Sequence, residues 1–173
     1  TPQQKADFEP VMNRIKGFGV LDFVAAWYIK AADYMRSAVN DAAPRVAFVS
    51  SNSITQGEQV GVLWSWMLAQ SIHIQFAHRT FSWSNEAKGN AAVHCVVVGF
   101  GRQDRSDKII YEYADIKGEP LAVSAKNINP YLVDAPNAVL AKISHPICSV
   151  PDMMEGSALI DDGHFLLTDE DMQ

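Results

Sequence analysis

The order of hydrophobic patterns along these 173 residues predicts an α/β domain, a mixed sheet with helices on its faces whose last two strands form an antiparallel hairpin. Two observations carry that expectation. Between residues 20 and 70 a helix-period stretch, a short β-rich run and a second helix-period stretch follow one another. After them, two strand-like runs are separated by a connection too short for a crossover, which makes them antiparallel neighbours.

The elements follow in order. Thr1-Pro2-Gln3-Gln4 places an N-cap hydroxyl, a proline at the first helical position and a glutamine at the third, so the chain opens on a helix. Gly17 and Gly19 interrupt it. From Val20 to Val39 the residues Leu21, Val24, Ala25, Tyr28, Ala31, Ala32 and Met35 recur at helical spacing, which predicts one long half-buried helix with Asp22 in its first turn. Arg45-Val-Ala-Phe-Val-Ser50 reads as an interior strand. Thr55-Gln-Gly-Glu58 has the form of a capping box, so a helix is expected over Gly57 to Gln70 with Val60, Leu63, Trp64 and Met67 facing inward. Ile72-His-Ile-Gln-Phe-Ala77 alternates and runs on towards Phe81 as a strand. A polar connection from Ser82 to Asn90 leads into Ala91 to Phe100, the strongest strand pattern of the chain. From Gly101 the texture is charged and proline-bearing, with short β-like runs at Lys108 to Tyr113 and Leu121 to Ser124. The expected organisation is therefore a sheet domain over 1–100 and an irregular extension over 101–173. Thr168-Asp-Glu-Asp171 has the look of a helix start, and with the helical opening at Thr1 it suggests a piece cut from a longer protein.

Composition bounds the function. With 48% apolar and 20% charged residues the chain holds one ordinary core. Two cysteines cannot make a disulfide scaffold, and a reducing, cytoplasmic setting is expected. No apolar run approaches the roughly 18 residues of a membrane helix. A net charge of −6 argues against the whole surface binding a polyanion. The middle differs, because Arg79, Lys88, Arg102, Arg105 and Lys108 outnumber Glu86, Asp104 and Asp107. From Asp152 onward there are acids and no Lys or Arg.

Few motifs carry chemistry. The histidines show no ligand pair at helical spacing, so no metal site is expected. Neither a Gly-x-Ser-x-Gly elbow nor a glycine-rich phosphate loop occurs. Glu86-Ala-Lys88 matches half of a magnesium nuclease site, but it falls in a polar connection, where such a site is not built. Phe81 and Trp83 are two large rings at i, i+2 beside Arg79, Asn85 and Lys88; exposed, they could stack on an unpaired base while the polar groups hold its phosphates. On composition alone, burial beneath the helix bearing Trp64 and Trp66 is the stronger expectation.

Longer stretches are more specific. Leu21-Asp-Phe-Val-Ala-Ala-Trp-Tyr-Ile-Lys-Ala-Ala32, Phe48-Val-Ser-Ser-Asn-Ser-Ile-Thr-Gln-Gly-Glu-Gln59, Phe76-Ala-His-Arg-Thr-Phe-Ser-Trp-Ser-Asn-Glu-Ala-Lys-Gly89 and Ala92 to Phe100 closely resemble the latter half of an adenine-N6 DNA methyltransferase, above all the MmeI-like, type IIL restriction-modification family. Asn127 to Pro136 and Asp161 to Glu170 resemble that family's passage towards its target-recognition domain. The resemblance implies a partial Rossmann-like methyltransferase sheet, its last three strands ending in the hairpin. It implies S-adenosylmethionine as cofactor and double-stranded DNA as partner of the intact parent, with Leu21, Asp22 and Phe23 near the cofactor pocket and Phe81 or Trp83 stacking on the flipped adenine. The family's Asn-Pro-Pro-aromatic tetrapeptide and its glycine-rich cofactor loop are absent from these residues, and Asn129-Pro130-Tyr131 lies downstream of the sheet. The chain is therefore expected to be a fragment, inactive and without cofactor by itself, that self-associates through an exposed sheet edge; a binding module that merely retains the fold is the alternative.

Overall fold

Thr1 opens the first helix as its sequence predicts: its hydroxyl accepts from the Gln4 backbone N–H while the Gln4 side chain reaches back to the cap. The computed structural model describes residues 1–38, 44–83, 93–143 and 148–150. Helix α1 spans Pro2–Met12, α2 Ala25–Ser37 and α3 Gly57–Ala69; strands β1 to β5 span Arg45–Ser51, His73–Trp83, Val93–Gly101, Lys108–Glu112 and Leu121–Ala125. Two compact units divide the chain, Thr1–Lys142 and Ile143–Gln173, and all of these elements belong to the first.

The strands form one sheet in the order β1-β3-β2-β4-β5. β3 runs antiparallel to both of its neighbours, so it is inserted between β1 and β2, which point the same way. The expected hairpin is thus present as β2 and β3. The β-like runs of the extension form β4, parallel to β2, and β5, antiparallel to β4, so the sheet continues well past residue 100.

The described helices gather on one face of the sheet rather than on both. On that face Val46, Phe48 and Ser50 of β1 lie opposite Phe100, Val98 and Val96 of β3. The Tyr28 ring of α2 stacks on Phe100 at 5.3 Å, meets Phe48 edge-on and touches Trp64 of α3. Its buried hydroxyl needs a partner and shares a 2.8 Å hydrogen bond with Ser50; burial pushes this phenol well up, the Ser50 bond opposing. Trp64 donates its indole N–H to the Ile54 carbonyl. Helix α1 packs on α2, placing Met12 and Ile15 in the same core. The opposite face carries Ala47, Val49, Phe76, Val97 and Ile109, with Val49 and Ile109 exposed. Gly99 lies on this face beneath the Phe76 ring, where an added Cβ would fall 2.0 Å from a ring carbon.

Three local expectations are corrected. The helix expected from Val20 begins only at Ala25, because Phe18–Val20 forms a 3-10 turn and Leu21 is extended, so Asp22 precedes the helix. The Thr55 capping box does not form: Thr55 donates to the Asn52 carbonyl and α3 starts from Gln56 without a side-chain cap. The extension is not wholly irregular, since its β-like runs join the sheet as β4 and β5. There, Lys108 is buried with its ammonium on Asp104 at 2.7 Å and Asn127 at 3.0 Å. Asn129 is also buried, and its side-chain oxygen accepts from Tyr131 and Val133, so the Asn-Pro of this chain is turn architecture.

Candidate functional site

The two groups of candidate residues converge on one rim of the sheet. Ser51, at the end of β1, and Phe81, near the end of β2, both pair with Cys95 of the intervening β3. Two strand spacings therefore separate them, roughly 10 Å. This rim is the carboxyl end of two parallel strands, the edge on which open α/β sheets bind ligands.

At the β1 side, the extended backbone at Leu21 sends alternate side chains in opposite directions. Leu21 and Phe23 line a cavity of about 460 Å³ with Thr1, Gln4, Phe8 and Phe18, and Phe23 stacks on Phe8 at 6.0 Å. Asp22 instead meets α3 and the 3-10 turn after β1. Gln59 grips it twice, accepting from the Asp22 backbone N–H and donating to Oδ2, both at 2.9 Å. Ser53 donates to the same oxygen at 2.7 Å and shares a hydrogen bond with Ser51. These bonds, Gln59 first and Ser53 second, hold the Asp22 carboxyl below its usual range, so it is ionised at neutral pH with both donors on one oxygen. The sequence brought out Asp22, whereas Ser53 and Gln59 carried no motif of their own; the one signal was their place inside a long family-like stretch.

At the β2 side, two bulges decide which way the rings face. A regular strand would put Phe81 and Trp83 on the face opposite Phe76 and His78. The register slips between Ile74 and Phe76 and again between His78 and Phe81, and these slips bring all four aromatic side chains, Trp83 included, to the uncovered face. Trp83 is 49% exposed and Phe81 half-buried, their centroids 6.0 Å apart. Trp64, expected to cover them, is on the other face with Tyr28. β4 and the residue that follows it add two rings that the sequence did not reveal. Tyr111 stacks on His78 at 4.1 Å, and Tyr113 stacks on Phe81 at 5.3 Å while sharing a 2.8 Å hydrogen bond with His78. Burial holds the His78 imidazole below its ordinary value, hence neutral at pH 7; burial, and after it the Glu119 charge, push the Tyr113 phenol up.

Of the basic and amide candidates, Arg79 is half-exposed and paired with Glu112 of β4 at 3.2 Å. Asn85 and Lys88 lie outside the described residues, as does Glu86. Among the described residues no group of His, Cys, Asp and Glu is arranged to hold a metal, and no helix is long and apolar enough to cross a membrane.

Residues 1–112 match the family described as MmeI, DNA-methyltransferase domain. DNA methyltransferase A of Bacillus subtilis (strain 168) is 38% identical over 166 residues, which is 96% of this chain and 18% of that protein. The structure of the type IIL restriction-modification enzyme MmeI in complex with DNA is similar with a TM-score of 0.89 and 56% identity, covering 99% of this chain and 23% of that one. The chain therefore spans less than a quarter of the length of either relative.

Proposed function

Because the chain belongs to the MmeI DNA-methyltransferase family, we propose that it supplies the base-stacking rings and part of the cofactor wall of an S-adenosylmethionine-dependent adenine-N6 DNA methyltransferase of a restriction-modification system. The observation that carries this reading is the shared rim, where an ionised, doubly held carboxylate and an open aromatic cluster stand two strands apart. Chemistry on a base in duplex DNA requires that the base leave the stack, and an exposed ring receives it. The DNA bound by the MmeI structure supports double-stranded DNA as the partner. Trp83 and Phe81 stack on the extruded adenine; Arg79, Asn85 and Lys88 follow its phosphates.

The residues fit the cofactor as one wall. Asp22 is an acceptor fixed in place, able to take a hydroxyl or amine donor on Oδ1, while Leu21 and Phe23 present apolar surface to the adjoining cavity. S-adenosylmethionine, when bound, supplies the methyl group for the amine of the base. Asp22 orients it, and the rings exclude water from the base. The tetrapeptide that would hold the amine is not among these residues, and one wall leaves most of a ligand wet, whereas a formed pocket buries about 70 to 90% of it. The isolated chain is accordingly inactive.

The test is methyl transfer to duplex DNA by the polypeptide that carries this chain, with methylated positions mapped. Trp83→Ala and Asp22→Ala should abolish most of the transfer to adenine. Wild-type activity in both variants, or methylation of cytosine, overturns the proposal. For the chain alone, calorimetric titration with S-adenosylmethionine should give no saturable heat, and tight stoichiometric binding would place the cofactor site elsewhere. Self-association through the edge of β1 is a separate expectation, refuted by a sharp monomer in light scattering at high concentration.

A further inference from the structure

We infer that Tyr113 is a positioning residue of the base-stacking site, carrying Phe81 on its ring face and leaving Trp83 as the open platform. The inference rests on the base-stacking proposal and deepens it. Five rings, His78, Phe81, Trp83, Tyr111 and Tyr113, form a connected cluster that lies outside the hydrophobic core. Core packing therefore does not account for them. They stand on the sheet face that no described helix covers, at the rim that also carries Ser51 and Asp22.

Within the cluster the rings are not equivalent. Phe81 has Tyr113 stacked against it at 5.3 Å and 22°, and His78 and Trp83 at its edges. Tyr113 is itself fixed from two sides. Its hydroxyl shares the hydrogen bond with His78, which Tyr111 holds by stacking at 4.1 Å and 8°. Its backbone follows β4, which runs parallel to β2 with His78 beside Tyr111, and the Ser82 N–H donates to the Ile116 carbonyl at 2.7 Å. The segment after β4 is thereby kept alongside β2 to the end where Trp83 stands. Trp83 keeps 49% of its surface open and has Phe81 as its described aromatic neighbour. A base entering from the rim meets Trp83 first, on a platform whose angle is set through Phe81 by Tyr113.

The experiment uses the polypeptide that carries this chain and a duplex with 2-aminopurine at the methylated adenine, whose fluorescence reports extrusion and stacking. Trp83→Ala and Phe81→Ala test the underlying proposal. Tyr113→Leu, apolar but without a ring, and Tyr113→Phe, which keeps the ring and loses only the hydroxyl, test the inference. Aromatic pairing of this kind corresponds to about tenfold at its upper end. Tyr113→Leu should lower kcat by about that factor and change the 2-aminopurine signal, with KM for DNA little altered. Tyr113→Phe should restore most of both. If Trp83→Ala and Phe81→Ala impair transfer while Tyr113→Leu does not, the positioning role is overturned and the base-stacking proposal stands. If none of these variants matters, the base-stacking proposal itself fails. Equal losses in Tyr113→Leu and Tyr113→Phe would assign the role to the His78 bond and overturn the stacking account. Should Tyr113→Leu fail to fold, Tyr113→Met carries the same comparison.

Discussion

Replacing Gln59 by leucine separates two things its carboxamide does for Asp22. The side chain accepts from the Asp22 backbone N–H and donates to Oδ2, each at 2.9 Å. A neutral hydrogen bond contributes about 1 kcal/mol net and one to a charged group about 1.5 to 3 when sheltered. Asp22 is exposed, so water replaces much of the second bond, and Gln59→Leu should lower stability by about 1 to 2 kcal/mol at pH 7. The pH dependence identifies the carboxylate. In the folded chain Asp22 titrates below its ordinary 3.8, with Gln59 the largest cause and Ser53 the next. A depressed carboxylate contributes stability that is present above the unfolded value and lost as pH falls through the folded value. The difference between wild type and Gln59→Leu should therefore be constant near neutrality and shrink as the pH falls through 3.8 and below. Urea unfolding from pH 7 to 3 measures the first quantity, and carbon-detected NMR of the Asp22 carboxyl the second. Its titration should move up towards 3.8 in Gln59→Leu and stop short of it, because Ser53 still donates. An unchanged Asp22 titration, with a stability loss that persists undiminished in acid, would show that Gln59 acts through helix α3 and not through Asp22.

Three further outcomes are expected. Gly99→Ala puts a methyl into the Phe76 ring and should destabilise by about 1 to 3 kcal/mol in chemical denaturation; Phe76→Leu should recover part of that loss in the double variant. Lys108→Met keeps the buried stem and removes the donor to Asp104 and Asn127, so its cost should be about 1 kcal/mol, while Lys108→Ala loses the packing as well and should cost more than twice as much in the same measurement. His78 is held below its ordinary 6.5 by burial, with the Tyr111 ring, the Tyr113 hydroxyl and Phe81 facing it. The unfolded chain then binds the proton more readily, so thermal stability should fall as pH drops through 6.5, more steeply than in His78→Leu.

What the sequence revealed of the fold follows from the range of the interactions involved. The β2–β3 pair was legible because its cause is local: a strong apolar run, a short connection and an alternating partner. The placement of β3 between β1 and β2 was not, because pairing Ser51 with Cys95 joins residues far apart in the chain, and no periodicity records such a choice. The helix start at Val20 failed for a related reason. Leu21 and Val24 sit at helical spacing, yet Gly17 adopts φ +83° and the turn that follows leaves Leu21 extended. Helical spacing of apolar residues is satisfied equally by an extended approach whose side chains reach the same core, and Leu21 does reach it. Likewise the Thr55 pattern had the composition of a capping box, but the hydroxyl found the Asn52 carbonyl first.

The site shows the same division. Asp22 came to notice as a charge in a presumed first helical turn, and its real environment arises because it is not in that turn: released from the helix, its carboxylate reaches Ser53 and Gln59 of the next unit. Phe81 and Trp83 were recognisable as a pair at i, i+2, but their sharing a face with His78 depends on two bulges, each of which reverses the parity of the strand. Simple alternation from the core-facing Ile74 would have left Phe81 and Trp83 on the uncovered face but sent Phe76 and His78 under the helices. Tyr111 and Tyr113 could not be connected to them at all, since they reach the rim only through the parallel pairing of β4 with β2. Asp22 is placed by a 3-10 turn before α2 and the grouping of the β2 rings by two bulges, while the regular elements around them supply the rigidity. A strand repaired to strict alternation from Ile74 would leave Phe81 and Trp83 where they are but turn His78 towards the helices, taking from the proposed platform the imidazole that bonds the Tyr113 hydroxyl and stacks on Tyr111.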